Sequence, residues 1–93
     1  KVLFMIAGQR KNRIEKIIND NLAPTFLNVV DDSESHQGHH QAPESGESHY
    51  NINIVSGSFS GLNRIEKERM VYKLLSEEFN SGLHALSLKL SDK

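Results

Sequence analysis

Residues 63–90 read NRIEKERMVYKLLSEEFNSGLHALSLKL, and the reading of this stretch decides the fold. Ile65, Val71, Leu74, Leu75 and Phe79 recur at helical spacings, the stripe of one amphipathic helix that buries a single face. Asn63 fits as its N-cap, with Glu66 three residues on as the reciprocal partner of a capping box. Asn80-Ser81-Gly82 fits as its end, because glycine readily takes the left-handed backbone that closes a helix. The chain then alternates: His84, Leu86, Leu88 and Leu90 share one side of a predicted strand, and Leu83, Ala85, Ser87 and Lys89 share the other. A histidine therefore opens this strand on its apolar parity, just past a helix end. Such a place lies at the rim of a core, where one imidazole nitrogen stays reachable from outside.

Working outward, residues 49–56 also alternate, with Tyr50, Ile52 and Ile54 facing one way and Asn51 and Asn53 the other. A strand with one wet face is typical of antiparallel pairing. Residues 57–62 hold two glycines around Phe59 and predict a tight turn or one helical turn. Residues 9–22 predict a first helix, with Ile14, Ile17, Ile18 and Leu22 on one face and Arg10, Arg13, Glu15, Lys16 and Asp20 largely elsewhere. Pro24 closes that helix, since the residue before a proline avoids helical geometry. Phe26, Leu27, Val29 and Val30 make residues 25–30 a short strand. Residues 31–48 carry glycines, a proline, several serines and three histidines without apolar periodicity, and read as a long mobile loop. The order is helix, strand, strand, turn, helix, strand: an α+β domain of two layers, a three-stranded sheet with helices on one face. Asn12-Arg13-Ile14-Glu15-Lys16 recurs as Asn63-Arg64-Ile65-Glu66-Lys67, an echo too short to mark a duplicated domain.

With 93 residues, the chain supports one domain and one modest core. That domain is expected over residues 9–93. Residues 1–8 are assigned no role; they begin at Lys1 and read as an N-terminal extension, vector-derived or left by trimming. Eleven Lys and Arg stand against twelve Asp and Glu, which leaves no electrostatic footprint for nucleic acid or an anionic membrane. The absence of cysteine excludes a disulfide framework, a thiol nucleophile and a thiolate metal site built from this chain alone. The longest apolar run, residues 2–7, is too short to span a bilayer or to form a signal-peptide core.

The five histidines are the first candidates for chemistry. His36, His39 and His40 form His-x-x-His-His in the loop, where clustered imidazoles suit borderline metals. The spacing matches no standard zinc pattern, and a solvated polar loop is the competing reading. His49 reads as structural, holding the loop end by a hydrogen bond. His84 on position alone carries the same structural reading. A Gly-x-Ser-x-Gly elbow, a phosphate-cradling glycine loop and a dinucleotide fingerprint are all missing. Asp31-Asp32 and Glu77-Glu78 read as a loop entry and a solvated helix face. Nothing here argues for an enzyme.

Several stretches resemble the BolA family in the right order. They are Val29-Val30-Asp31-Asp32-Ser33 followed by a loop histidine, Glu47-Ser48-His49-Tyr50, Ile54-Val55-Ser56 with Phe59-x-Gly61, Glu68-Arg69-Met70-Val71-Tyr72, Leu75-Ser76-Glu77-Glu78-Phe79 and His84-Ala85-Leu86-Ser87-Leu88. The resemblance spans residues 12–90. It implies a class II KH-like fold, α-β-β-α-α-β, and a non-enzymatic partner of a monothiol, CGFS-type glutaredoxin. In that heterodimer a [2Fe–2S] cluster is shared, with sulfur ligands from the glutaredoxin cysteine and glutathione. The BolA-like side gives the histidine of His-Ala-Leu, here His84, and a second ligand from the first inter-strand loop. In this cysteine-free chain the matching position is His36, with His39 as the alternative. Arg69, Leu83 and Ala85 are the implied partner contacts. The isolated chain is expected to be a monomer without its own cofactor. The setting implied is intracellular, in cytosol or mitochondrion, and the role is cluster trafficking, maturation or iron sensing. Two imidazoles on one iron would raise the cluster potential relative to four thiolates.

Two departures from the family pattern matter. The usual Arg-His-Arg of the long helix is Lys67-Glu68-Arg69 here, and the loop carries extra histidines. The alternative function is a nucleic-acid-binding transcription regulator using Arg64, Lys67 and Lys73. Against it stand a net charge of −1 and the spacing of Gly57 and Gly61, which leaves three residues between them where a Gly-x-x-Gly clamp has two.

Overall fold

A computed structural model describes residues 9–32 and 48–93. The expected loop, with His36, His39 and His40, and the N-terminal extension lie almost wholly outside the described residues.

Helix α1 runs Gln9–Leu22 and buries Arg10, Ile14, Ile18 and Leu22, a strict four-residue stripe. Past its end, Ala23 takes φ 44°, a left-handed conformation that turns the chain out of the helix ahead of Pro24. Strand β1 (Phe26–Asp31) and strand β2 (His49–Val55) pair antiparallel, Phe26 opposite Val55 and Asp31 opposite Tyr50. A single 3₁₀ turn, Gly57–Phe59, follows. Ser56 caps that turn by accepting from the Ser58 N–H at 3.1 Å, and its hydroxyl donates to the Leu22 carbonyl at 2.6 Å. One buried serine thus ties the end of α1 to the end of β2.

Helix α2 spans Arg64–Leu74, α3 spans Ser76–Asn80 and strand β3 spans Ala85–Ser91. The expected capping box is present: Asn63 Oδ1 accepts from Glu66 N–H at 2.8 Å, and Glu66 Oε1 accepts from Asn63 N–H at 2.9 Å. The predicted single helix is broken at Leu75, giving the α-β-β-α-α-β order of the KH-like fold. β3 joins β2 in parallel, His49 opposite Ala85 and Val55 opposite Ser91, so the sheet order is β1-β2-β3. The wet-faced β2 therefore has one antiparallel and one parallel neighbour. A parallel pair needs a crossover, and the two helices provide it.

The core forms where one sheet face meets the helices. Val29, Ile52 and Leu88 stand in one row across the three strands, and Leu27, Ile54 and Leu90 in the next. Tyr50, Ile52, Ile54, Ile14, Ile18, Phe59, Val71, Leu75 and Leu83 are buried together. The opposite sheet face is polar at Asn28, Asn51 and Lys89, all exposed.

Two assignments on the helix stripe are corrected. Ile65 is 59% exposed, not in the core. At 100° per residue it sits about 120° around the helix from Val71, whereas Leu75 sits only about 40° away. Glu78, expected on a solvated face, is 4% exposed. It lies on α3, past the break at Leu75, and it is sheltered because Arg10 and Arg13 meet it there.

Candidate functional site: His84 and its mount

His84 is the single residue between buried Leu83 and Ala85, the first residue of β3, and its side chain is exposed. The predicted parity fails here. Leu86, Leu88 and Leu90 do turn toward the core, but regular strand geometry begins only at Ala85. Leu83 takes the inward position ahead of the strand, at 2% exposure, and His84 points outward. The expected reachability of the imidazole is met in a simpler way: the ring stands on the surface, not at the edge of the core.

The backbone under His84 is fixed from two sides. Ser48 carbonyl accepts from the His84 N–H at 2.8 Å and from the Ala85 N–H at 3.1 Å. On the other side, Glu78 carbonyl accepts from the Leu83 N–H at 2.9 Å. Gly82 joins these supports with φ 128°, a conformation side-chain-bearing residues rarely adopt, and a Cβ there would lie 3.1 Å from Arg10 Nη2. Arg10 completes the mount: Nη1 donates to Glu78 Oε1 at 2.8 Å and to Ser81 Oγ at 3.0 Å, and Nη2 donates to the Ser81 carbonyl at 3.1 Å. Arg13 adds Nε to Glu78 Oε2 at 2.8 Å and Nη2 to Glu78 Oε1 at 3.0 Å. The hydrogen bond from Arg13, with the charges of Arg13 and Arg10, holds the Glu78 carboxyl below the usual glutamate range despite burial, which pushes the other way.

The parallel pairing brings a second imidazole to the same place. Parallel strands begin at the same end, so the openings of β2 and β3 are neighbours. The His49 ring meets the His84 ring edge to face, centres 6.1 Å apart and planes at 76°. Ser48 Oγ and His49 Nδ1 share a hydrogen bond of 2.8 Å, the loop-end contact expected of His49. The antiparallel β1 finishes at this end too, where Asp32 N–H donates to the His49 carbonyl at 2.8 Å. Both anchors of the connection over residues 33–47, Asp32 and Ser48, are thus at the His84 end of the sheet. Sequence reading missed the proximity of His49 to His84, since it needs the parallel register and both strands looked alike in pattern.

The other candidate residues divide. Ala85 and Arg69 are exposed, the first beside His84 and the second on α2. Leu83 is a correction: its side chain is sealed in the core and offers no surface to a partner. Arg64, Lys67 and Glu68 line a groove of about 260 Å³ with Leu88 and Leu90, where Arg64 Nε is paired with Glu68 Oε2 at 3.2 Å. Lys73 is exposed in the last turn of α2 and is not among the groove residues. Among the described residues, no three His, Asp or Glu side chains gather into a metal-holding group. No described helix is long and apolar enough to cross a membrane.

This topology, with an exposed histidine mounted after a two-piece crossover, defines a class of small α+β domains of the KH-like type. The profile of the family described as BolA-like protein matches residues 18–93. The chain belongs to the BolA family. It is 41% identical over 85 residues to SufE-like protein 1, chloroplastic/mitochondrial, of Arabidopsis thaliana, covering 87% of this chain and 23% of that protein. The chain therefore spans about a quarter of that relative's length. It is 37% identical over 78 residues to the DNA-binding transcriptional regulator BolA of Escherichia coli, covering 84% of this chain and 70% of that protein. Its fold matches the BolA domain of SufE1 from Arabidopsis thaliana with a TM-score of 0.83 at 39% identity, over 94% of this chain and 96% of that one.

Proposed function

We propose that this protein is a non-enzymatic partner of a monothiol glutaredoxin and supplies imidazole to a [2Fe–2S] cluster shared between the two. The observation that carries the reading is the exposed imidazole of His84 on a backbone fixed from both sides, in a chain that contains no cysteine. The donor set suits a cluster held jointly and not one held alone: imidazole is a good borderline ligand, and the thiolates must come from elsewhere. A shared cluster would serve as cargo or as a sensing group, passed on or read out within the complex.

The chain's own residues have separate tasks in this reading. His84 presents a ring nitrogen at a fixed place. Its mount resists displacement when a partner docks, because Ser48, Glu78 and Arg10 hold the flanking backbone. Ala85 gives a small, exposed side chain beside the ring, where a partner surface can approach closely. Arg69 offers a cation for the glutathione or the glutaredoxin face. His36, with His39 as the alternative, is proposed as the second ligand; it follows Asp32 by four residues in a connection anchored at the His84 end. We place this role inside the cell, in cytosol or an organelle; the Arabidopsis relative is named as chloroplastic/mitochondrial.

The test is to combine the protein with a monothiol glutaredoxin, glutathione, iron and sulfide, and to record visible absorption and circular dichroism. The expected result is a spectrum distinct from that of the glutaredoxin's own cluster. His84→Ala removes most of the difference, and His36→Ala alters the spectrum while the complex persists. An unchanged spectrum with His84→Ala overturns the assignment.

A further inference from the structure

We infer that Ser48 and His49 form a positioning pair that sets the orientation of the His84 imidazole. An exposed histidine on its own samples several staggered side-chain conformers. His84 is different because a second ring stands against it: 6.1 Å between centres and 76° between planes is an edge-to-face pair, within the favourable range for aromatic rings. The His49 ring is itself held, through its Nδ1, by the Ser48 hydroxyl at 2.8 Å. Ser48 is buried, and its carbonyl carries the His84 and Ala85 amides. One residue therefore fixes the backbone of His84 by its main chain and the neighbour of its ring by its side chain. The parallel register, His49 opposite Ala85, brings the two rings together at the opening of the sheet.

The orienting role belongs to the isolated domain. Its consequence for a cluster rests on the glutaredoxin reading, in which His84 is a ligand. Groups that orient a histidine ligand from behind typically govern metal affinity by about 10- to 100-fold when removed. His49 acts here through the shape and placement of its ring, so phenylalanine, which keeps the ring but not the Ser48 hydrogen bond, substitutes for it in part and alanine does not.

The test has two arms, both on the 93-residue chain. In the first, without metal, nuclear magnetic resonance reads the Hα–Hβ couplings of His84 and the cross-relaxation between the two rings. The expected result is one dominant His84 conformer with ring-to-ring cross-peaks. In His49→Ala the couplings become averaged and the His84 ring resonances shift, whereas His49→Phe, which keeps a ring but loses the Ser48 hydrogen bond, gives only a partial loss. Ser48→Ala gives an intermediate loss. Thermal melting of each variant separates loss of orientation from loss of fold. Couplings that are averaged in the unaltered protein, or unchanged in His49→Ala, overturn the inference.

In the second arm the same variants enter the glutaredoxin mixture. His49→Ala is expected to lower cluster retention by about tenfold or more, with altered circular dichroism, and His49→Phe to lower it less, as Ser48→Ala does. If His49→Phe is as damaging as His49→Ala, His49 is a ligand and not a positioning residue, and the inference fails. If His84→Ala leaves the spectrum unchanged while the first arm holds, the glutaredoxin reading falls and the orienting role stands. If His84→Ala abolishes the spectral change while His84 keeps one conformer in His49→Ala, the reading stands and the inference falls.

Discussion

Arg10 Nη1 lies 2.8 Å from Glu78 Oε1, joining the first turn of α1 to the short helix that leads into His84. Both side chains are nearly sealed from solvent, and Arg13 closes the pair from the outside. Charge taken out of water is tolerated only when partners surround it. Glu78 is so surrounded, and the same network carries the Ser81 and Leu83 backbone. Glu78→Ala leaves the buried Arg10 charge without its carboxylate and should lower stability by about 3 kcal/mol, the ordinary result of removing one partner of a buried pair. Urea unfolding measures it; a loss below about 1 kcal/mol would show that the network is peripheral to the fold.

The same carboxylate gives a pH dependence of known sign. Its native pKa is depressed, chiefly by the Arg13 hydrogen bond, so the folded state holds the proton less tightly than the unfolded chain. The stability it contributes is fully present above the unfolded glutamate value of about 4.3. That contribution fades as the pH falls through the depressed native value. Unfolding midpoints between about pH 6 and pH 3 should therefore drop less in Glu78→Gln than in the unaltered protein. Equal slopes would remove Glu78 from the acid response.

Gly82 should resist substitution for two independent reasons. Its φ of 128° strains any residue with a Cβ, and that Cβ would press on Arg10 Nη2 at 3.1 Å. Gly82→Ala should cost about 1–3 kcal/mol, the range for residues forced into sparsely populated backbone conformations. It should also broaden the His84 amide resonance, since Gly82 is two residues before it. Gly57→Ala is the control: nothing lies within 4 Å of a Cβ built there, so its loss should be far smaller. Comparable losses at the two glycines would contradict this account.

The sequence carried much of this fold and less of the site. Periodicity placed α1 and the second and third strands, strand-forming residues placed the first, and residue type placed the Asn63–Glu66 capping box, because each depends on local side-chain chemistry. The buried acid–base cluster escaped it. Arg10 and Glu78 hold stripe positions on their helices, yet charge by itself argues for solvent, and only pairing across 68 residues reverses that. Ile65 erred the other way, an apolar side chain whose helical angle faces water. The family resemblance singled out His84 as the expected ligand, while its mount and its neighbour His49 depend on tertiary register, which no window of sequence contains.

The E. coli relative is named as a DNA-binding regulator, so the cations of α2 call for a measurement. Arg64, Lys67, Arg69 and Lys73 share that helix with Glu66 and Glu68, and Arg64 is already engaged by Glu68. Each neutralised phosphate contributes about −0.9 to the slope of log affinity against log salt. At most three unpaired cations on α2 therefore predict a slope no steeper than about −3 on duplex DNA, with no preference among sequences. Glu68→Ala frees Arg64 and should steepen the slope by about one unit. Fluorescence anisotropy between 50 and 200 mM salt, roughly the range over which such slopes are read, decides the matter. A slope near −6 at low micromolar affinity would mean that residues beyond α2 engage the backbone, and it would raise nucleic-acid binding above the glutaredoxin reading.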